Sequence, residues 1–251
     1  MKGNDISEIA MTAYFSNITI ILCNTSHTGN IGAAARAMKT MGLYNLTLVA
    51  PLVKPDDHSL ALASNAKDVV KQARIVATLD EALVNTTLAF ALTARKREFN
   101  QRLATPKDSI SEIIATINNQ QSIAIVFGGE KNGLTIEQLE KCNRMMTIPG
   151  NPEYSSLNLA QAVQIIAYEI FNNYNSSLTS LKKSVNLASF LDKQGVLHHL
   201  NSILHKIEFY KNKNELRTKR KLQHILNKAE LEHNEIDLIR GILTKIEKNY
   251  K

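Results

Sequence analysis

The stretch that decides the fold is IPGNPEYSSLNLAQAVQIIAYEIF, residues 148–171. A short apolar strand ends at Ile148, and the prolines and glycine that follow exclude regular structure directly after it. Further on, apolar residues recur at helical spacing, namely Leu159, Val163, Ile166, Ala167 and Ile170. Residues 151–158 therefore form a loop that ends at a helix N-terminus, where free backbone N–H groups and a partial positive charge favour a polar ligand.

Two side chains at the end of this loop have two possible roles. Ser156 and Asn158 are residue types that cap helices by accepting a hydrogen bond from the first turn. The same positions would also face a ligand bound at the loop. Capping and ligand binding can coexist, so the sequence leaves both roles open.

The chain before this stretch alternates between strands and helices. Short apolar runs predict strands at 17–23, 45–50, 75–77, 87–92, 123–127 and 145–148. Pairs of cap residues predict helix starts at Thr78 with Glu81, Ser109 with Glu112, and Thr135 with Gln138. This alternation predicts one α/β domain over residues 17–171 with a mostly parallel sheet. In such sheets, ligands bind outside the carboxyl ends of the strands.

Two glycine-containing turns lie at predicted strand ends. Gly29, Asn30 and Gly32 follow the first strand, and GGEKNGL at 128–134 follows the fifth. The first turn is neither a GxGxxG dinucleotide fingerprint nor a GK[ST] phosphate loop, although it could cradle an anion. Arg36 lies in the helix after the first turn, either as a rim residue paired with a carboxylate or within reach of a ligand. Glu130 in the second turn could accept hydrogen bonds from backbone N–H groups.

Composition indicates a folded, soluble, cytoplasmic protein. Apolar residues make up 44% and charged residues 21% of the 251 positions, and no apolar run is long enough to cross a membrane. The N-terminal extension, residues 1–16, contains Asp5 and Glu8 where a signal peptide needs an apolar core. Cys23 and Cys142 lack metal-ligand spacing and are predicted to be buried free thiols.

Positive charge is concentrated in the last third of the chain. Residues 1–171 carry 15 Lys and Arg against 15 Asp and Glu, whereas residues 172–251 carry 15 against 8. A neutral body with a basic appendage is typical of a protein that performs chemistry in one part and binds a polyanion with another. The alternative is a solvated helical face.

The last third also differs in structure. Residues 172–186 are predicted to be a polar linker, and residues 187–251 a small helical bundle with helices at 187–210, 215–226 and 234–248. His198, His199 and His205 have no thiolate or carboxylate set to complete a metal site. One corner between helices is strongly basic, with Lys211, Lys213, Arg217, Lys219, Arg220 and Lys221.

A second basic group follows the fourth strand. Arg95 and Arg97, with their neighbours Lys96 and Arg102, would lie at the rim of any ligand site at the carboxyl end of the sheet. A solubilising loop is the alternative interpretation. Either way, these side chains are candidates for RNA binding if the ligand is a polyanion.

Three segments together resemble the SPOUT methyltransferase superfamily: TGNIGAAARAMKTMGL, FGGEKNGL and IPGNPEYSSLNLAQAV. Their order and spacing match as well. The details NTSHTGNIG, LTARKRE and NPEYSSLNLA are most similar to the bacterial TrmJ type, which methylates the ribose 2′-hydroxyl of cytidine or uridine at nucleotide 32 in the tRNA anticodon loop. The resemblance is close over residues 17–171 and looser in the helical tail.

This resemblance implies a fold and a cofactor. The expected fold is an α/β domain whose C-terminal part forms a trefoil knot, assembled as a homodimer that binds S-adenosylmethionine and tRNA without a metal. The implied cofactor contacts are Leu92, Thr93, Ala94, Gly128, Ile148, Ser155, Ser156 and Leu157. The implied catalytic positions are Asn30, Arg36, Glu130, Ser156 and Asn158. Ala91 and Leu92 stand where the group often has a glycine and a small polar residue.

The implied chemistry makes modest demands on the protein. Methyl transfer from a sulfonium needs alignment of the ribose oxygen with the methyl carbon. A guanidinium does not deprotonate, so Arg36 is better suited to clamp a phosphate and stabilise the forming alkoxide than to act as a base. Two other readings remain open at this point: a methyltransferase of the same fold that acts on ribosomal RNA or another tRNA position, and a non-catalytic RNA-binding protein.

Overall fold

The computed structural model describes residues 13–94, 103–177, 187–210 and 214–249. Among them, six strands form one sheet in the order β3-β2-β1-β5-β4-β6, and every pairing is parallel. The strands are β1 Ile18–Cys23, β2 Asn45–Val49, β3 Arg74–Val76, β4 Leu88–Leu92, β5 Ile123–Phe127 and β6 Arg144–Met146. The predicted α/β class with a parallel sheet is confirmed.

Helices cover both faces of the sheet, which explains why the strands are apolar on both sides. In the sheet domain the helices are α1 Thr28–Thr40, α2 Asp57–Ala63, α3 Lys67–Lys71, α4 Leu79–Leu83, α5 Pro106–Asn118, α6 Ile136–Glu140 and α7 Leu159–Ser177. Helices α1, α5 and α7 bury their apolar sides in one core cluster with Ile20, Leu22 and Ile125. Helices α4 and α6 pack on the other face, around Ile21, Ala124 and Val126.

The C-terminal extension is helical, as predicted. It consists of α8 Phe190–Lys206, α9 Glu215–Lys228 and α10 His233–Asn249. Its own core is small, with Ala188, Val196, Ile203, Ile236 and Leu243 buried. The extension also packs against the sheet domain, because the Phe190 side chain joins the core cluster on the second face of the sheet.

Three predicted boundaries are wrong. The glycine turn predicted at Gly29, Asn30 and Gly32 lies inside α1, which begins at Thr28. Glycine at 32 serves close helix packing instead, since a Cβ there would lie 2.0 Å from the Ser59 carbonyl oxygen of α2. The helix predicted to start at Ser109 begins at Pro106, where Thr105 and Asp108 form the capping box and Ser109 is buried inside the helix. Proline at the first helical position favours this earlier start, because its fixed φ suits a helix and its missing N–H would be unpaired there anyway. The linker predicted from residue 172 begins later, since α7 continues to Ser177, and residues 178–186 lie outside the described residues.

Strand β6 is enclosed by chain on both sides. Its Met146 carbonyl accepts a hydrogen bond from Thr93 N at 2.9 Å, at the end of β4. On the opposite side, Ala104 N donates to the Met145 carbonyl at 3.1 Å and Thr147 N donates to the Ala104 carbonyl at 2.9 Å. Thr93 therefore lies on one side of β6 and Ala104 on the other. Strand β6, which comes later in the sequence, passes between these two residues. A trefoil knot requires such threading, and the knot itself stays a prediction.

Candidate active site

A cavity of about 350 Å³ opens at the carboxyl ends of β4, β5 and β6. Three chain segments form its walls: the end of β4, the loop after β5, and the loop between β6 and α7. The eight positions expected to contact a cofactor all line it, namely Leu92, Thr93, Ala94, Gly128, Ile148, Ser155, Ser156 and Leu157. The sequence therefore predicted one connected surface from three separate segments.

Other lining residues were not among the predicted contacts. Lys131 and Asn132 come from the loop after β5, while Phe127, Leu159 and Ala162 come from the adjoining strand and helix. The glycine-rich stretch GGEKNGL signals that its whole backbone curves around the cavity, and this signal could have identified Lys131. Lys131 places a cationic side chain at the cavity wall.

The loop after β5 is shaped by close contact between its own backbone segments. Gly133 N donates to the Gly129 carbonyl at 2.9 Å, and Gly133 has a φ of +64°, which favours glycine. A Cβ placed on Gly128 would lie 2.0 Å from the Gly133 carbonyl carbon and 2.1 Å from Leu134 N. Glycine at 128 is thus required for the loop to close on itself, in addition to any approach of a ligand.

Glu130 organises a hydrogen-bond network beside the cavity. One carboxylate oxygen accepts from the backbone N–H and the hydroxyl of Ser26, each at 2.9 Å, and the other accepts from the Asn30 amide at 2.8 Å. Partial burial alone would raise the pKa of Glu130, but the hydrogen bonds from Asn30 and Ser26 outweigh it and leave the pKa below its ordinary value. Glu130 is therefore an anion that only accepts hydrogen bonds.

The network continues into the loop before α7. The Asn158 side-chain amide donates to the Asn30 side-chain oxygen at 2.9 Å. The Asn158 side-chain oxygen in turn accepts from Ala160 N at 2.9 Å, within the first turn of α7. Asn158 thus caps the helix and also joins the network, whereas its role in binding a ligand stays a prediction. Through Asn30 and Glu130, all three predicted motif loops are connected.

Arg36 does not belong to this network. It lies six residues after Asn30 on α1, about 9 Å further along the helix and about a third of a turn around it. Its side chain is exposed and makes no hydrogen bond or ion pair with any residue that the structure describes. An always-protonated guanidinium in this state is available to bind an external anion.

Ser156 lines the cavity from an exposed loop. Residues 151–158 are exposed in the single chain, and they include the large apolar side chains of Tyr154, 79% exposed, and Leu157, 42% exposed. Asn151 shapes the loop, because its side-chain oxygen accepts from Glu153 N at 3.0 Å and its carbonyl accepts from Tyr154 N at 3.0 Å. These bonds form a turn shortly before Ser156, which lines the cavity.

The residues predicted to bind RNA divide into two groups. Arg95, Arg97, Lys211 and Lys213 lie outside the described residues. The other four lie on α9: Arg217, Lys219, Arg220 and Lys221. Lys219 is ion-paired with Glu215, and Arg220 Nε lies 3.5 Å from Glu140 of the sheet domain. Arg217 and Lys221 are exposed and form no ion pair with another described residue, so they carry the available charge.

Three further observations concern the cysteines, metal-ligating side chains and helix length. Cys23 and Cys142 are buried free thiols, as predicted, and burial raises the pKa of Cys23 to about 12 and the pKa of Cys142 above its ordinary value, so neither is a nucleophile. Within the described ranges, no three His, Cys, Asp or Glu side chains are grouped so that they could hold a metal ion. Over the same ranges, no helix has the length and apolar character to span a membrane.

Comparisons with known proteins agree with this geometry. The SpoU rRNA methylase family matches residues 17–168, and the family described as the TrmJ C-terminal domain matches residues 192–251. The chain is 41% identical over 235 residues to the tRNA (cytidine/uridine-2′-O-)-methyltransferase TrmJ of Photorhabdus laumondii, covering 92% of this chain and 97% of that protein. The chain belongs to the SpoU methylase family and, within it, to the TrmJ group.

Solved structures of the TrmJ group and its wider family have the same architecture. The crystal structure of TrmJ from Z. mobilis matches with a TM-score of 0.79 at 34% identity, covering 91% of this chain and 98% of that one. The SpoU methyltransferase AviRb from Streptomyces viridochromogenes, solved in complex with AdoMet, matches with a TM-score of 0.50 at 18% identity and shares the fold alone. That match covers 63% of this chain and 60% of AviRb. The TrmJ match extends over the helical extension as well as the sheet domain.

Proposed function

We propose that this chain transfers a methyl group from S-adenosylmethionine to the ribose 2′-hydroxyl of cytidine or uridine at nucleotide 32 in the tRNA anticodon loop. The observation that carries the proposal is the cavity, which brings together eight expected cofactor positions from three segments. The TrmJ relatives, named tRNA (cytidine/uridine-2′-O-)-methyltransferases, support the substrate class. The enzyme would act in tRNA processing, and we place it in the cytoplasm, where tRNA is found.

The residues of the cavity suit S-adenosylmethionine. A volume of about 350 Å³ lies within the range of small-molecule sites, about 300–1,000 Å³. Leu92, Ile148 and Leu157 supply apolar wall for a flat purine ring. The backbone after β5 and the hydroxyls of Ser155 and Ser156 supply polar groups for a ribose and an amino-acid end.

Catalysis then depends on alignment. When bound, S-adenosylmethionine would supply a methyl group on a cationic sulfur. As the ribose oxygen bonds to the methyl carbon, the sulfur–carbon bond would break in line, S-adenosylhomocysteine would leave and the hydroxyl proton would pass to solvent. Asn30, Glu130 and Asn158 hold the three motif loops in fixed relation, so that the 2′-hydroxyl is oriented by preorganised groups. Ser156, at the edge of the cavity, contacts the substrate. Arg36 binds the neighbouring phosphate and stabilises the forming alkoxide with its permanent charge.

The helical extension holds the tRNA. Arg217 and Lys221 of α9 contact phosphates, with Lys219, Arg220, Lys211 and Lys213 adding to the local positive potential. Arg95 and Arg97, which follow β4 in sequence, contact RNA near the cofactor. Phosphate contacts fix the position of the RNA and carry no base preference, so selection of the nucleotide depends on where these groups stand relative to the cavity.

The active unit is a homodimer of knotted chains. The uncovered apolar side chains of Tyr154 and Leu157 support this part of the proposal, because large apolar groups beside a functional loop are typical of an interface. The passage of β6 between Thr93 and Ala104 supports the knot. Light scattering coupled to size-exclusion chromatography tests the dimer, and a monomer at micromolar concentration would contradict it.

The deciding experiment measures the product. A purified chain is incubated with S-adenosylmethionine and unmodified tRNA, and the nucleosides are analysed by mass spectrometry alongside tRNA from a deletion strain. We expect 2′-O-methylcytidine or 2′-O-methyluridine in the first sample and its loss in the second. Since a 2′-O-methyl group blocks alkaline cleavage of the adjacent phosphodiester, partial alkaline hydrolysis locates the nucleotide. Methylation of ribosomal RNA, of another tRNA position, or none at all would overturn the proposal.

A further inference from the structure

The basic helix α9 is fastened to the strands that form the cofactor cavity. Two buried asparagines make the connection, one on each side of the contact: Asn143, 7% exposed, and Asn227, 2% exposed. The Asn143 amide donates to the Asn227 carbonyl at 2.9 Å, and the Asn227 amide donates to the Glu140 carbonyl at 2.7 Å. Because hydrogen bonds are directional, these two bonds to backbone carbonyls fix both the distance and the orientation of α9 relative to the sheet domain.

Four more contacts surround this pair. Phe190 N donates to the Thr86 carbonyl at 2.7 Å, and the Phe190 ring is buried against the sheet. Arg144 of β6 pairs with Glu230, directly beyond α9, and also with Glu112 of α5 at 2.8 Å. We call this set, Asn143, Asn227, Arg144, Glu230 and Phe190, the docking seam. It combines an apolar anchor, buried amides and an ion pair in one contact region.

The docking seam reaches the cavity through two short strands. The Asn143 side-chain oxygen accepts from Ala89 N of β4 at 2.8 Å, and Arg144 is the first residue of β6. Ala89 is three residues before Leu92 and Arg144 is four residues before Ile148, and both Leu92 and Ile148 line the cavity. At about 3.3 Å per strand residue, the seam lies roughly 10 Å from the cavity wall. Asn143 and Arg144 thus join α9 and Glu230 directly to these strands.

We propose that the docking seam is a positioning device, which holds the tRNA-binding face of α9 at a fixed distance from the methyl donor and thereby selects the nucleotide that is methylated. This inference rests on the proposed function. A misplacement of about 1 Å at the reacting atoms can lower a rate about a hundredfold. The docking seam therefore affects the rate of methyl transfer and the choice of nucleotide. The affinities for cofactor and for tRNA depend instead on the cavity and on the exposed face of α9.

The test uses the full chain and three variants of Glu230 and Asn227. Glu230→Arg opposes Arg144 at a largely exposed position, so folding should be retained, and Glu230→Gln keeps an acceptor without the charge. Asn227→Ala removes the amide that donates to the Glu140 carbonyl and keeps the backbone carbonyl that accepts from Asn143. Asp237→Arg, at an exposed position on α10 outside the docking seam, is the matched control for the added positive charge. Each is assayed for S-adenosylmethionine affinity, tRNA affinity, single-turnover methylation rate at saturation, and the methylated nucleotide.

We expect Glu230→Arg and Asn227→Ala to lower the single-turnover rate at least tenfold and to spread methylation to neighbouring nucleotides, with both affinities within about threefold of the parent chain. Glu230→Gln should be intermediate, and Asp237→Arg should have the parent's rate and product. The inference would be overturned if Glu230→Arg and Asn227→Ala both had the rate of the parent chain and methylated a single nucleotide. Loss of tRNA affinity in step with the rate would also overturn it, because the seam would then serve binding alone. An inactive parent chain would instead refute the proposed function.

Discussion

Asn158 and Asn30 are joined side chain to side chain at 2.9 Å, although 128 positions separate them. This bond ties the loop before α7 to the first turn of α1. Because Asn158 also caps α7 through Ala160 N, one residue performs two functions that a substitution can separate. Aspartate keeps the accepting oxygen of the cap and loses the donor.

We therefore predict that Asn158→Asp lowers the methyl-transfer rate by about one to two orders of magnitude with little change in thermal stability. Asn158→Ala should lower the rate by a similar factor. It should also lower the free energy of unfolding by about 1 kcal/mol, the usual effect of removing a helix cap. Single-turnover assays and thermal unfolding of both variants separate the two effects. Equal rates for Asn158→Asp and the parent chain would show that the bond to Asn30 has no catalytic role.

Arg36 provides the second prediction. Its exposed guanidinium has no partner among the described residues and is free to contact the substrate. Arg36→Ala should lower the rate of methyl transfer by roughly 10²- to 10³-fold, typical of losing one preorganised donor. Cofactor affinity should hardly change. Arg36→Lys keeps the charge without the planar fork and should recover only part of the rate.

The measurement is single-turnover methylation at saturating cofactor and tRNA, which separates chemistry from binding. A chelator should not affect this step once the magnesium requirement of tRNA folding is controlled. Full activity of Arg36→Ala would transfer the role to another group, such as Asn30 or Arg97.

The third prediction concerns Gly128. From sequence alone, a larger residue here is expected to block the cofactor in an otherwise intact domain. The structure changes this expectation, because a Cβ would lie 2.0 Å from the backbone of Gly133 and the loop itself must shift. Gly128→Ala should therefore lower both the melting temperature and the affinity for S-adenosylmethionine, the latter at least tenfold.

Gly150→Ala is a matched control, since a Cβ there would meet its nearest neighbour, Ser155 Cα, at an ordinary 3.8 Å. Calorimetric titration and thermal unfolding of the two alanine variants test the difference. If Gly128→Ala bound the cofactor as the parent does, the close approach of Gly128 to Gly133 would not matter for the site.

The sequence predicted the sheet and the cavity walls more completely than it predicted contacts between residues that are far apart along the chain. Apolar runs such as 123–127 and glycine turns such as 128–134 are local signals, and local signals located the strand ends where the cavity forms. Asn143 and Asn227 are 84 positions apart and bond to backbone carbonyls, which no pattern of residue types reveals. Phe190 likewise reads as part of an amphipathic helix, whereas its ring completes the core of the other domain. Periodicity identifies a buried face without identifying what covers it.

A fourth prediction concerns Lys193, which is 4% exposed beside the docking seam. Burial, with a smaller contribution from Arg144, lowers the pKa of Lys193 to about 8 against the opposing effects of Glu230 and Asp192. Below pH 8 the folded protein holds an unfavourable buried charge, and between pH 8 and the ordinary lysine pKa of 10.5 the folded state releases a proton that the unfolded state keeps. This group therefore makes the protein more stable as the pH rises through that window.

Lys193→Met should raise the melting temperature at pH 7 by about 2–4 °C, equivalent to about 1 kcal/mol for a chain of this size. The difference from the parent should shrink as the pH approaches 10. Comparing the two proteins at each pH cancels the thiols, whose raised pKa values act in the opposite direction. A difference that stayed constant from pH 7 to pH 10 would show that the Lys193 amine does not titrate in this window.

The last prediction separates free from paired charges on α9. A truncation near residue 175 would remove the Phe190 ring from the core of the sheet domain, so single substitutions test RNA binding more cleanly. Arg217 and Lys221 are exposed without an ion pair among the described residues, whereas Lys219 is paired with Glu215. Only a cation that contacts a phosphate releases counterions from the RNA, and this release sets the salt dependence of the affinity. Arg217→Gln and Lys221→Gln should each reduce the slope of log affinity against log salt by about 0.7–0.9, and Lys219→Gln by clearly less. Titrations of tRNA from about 50 to 200 mM salt measure these slopes, and equal slopes for all three variants would show that pairing with Glu215 does not withdraw Lys219 from the RNA.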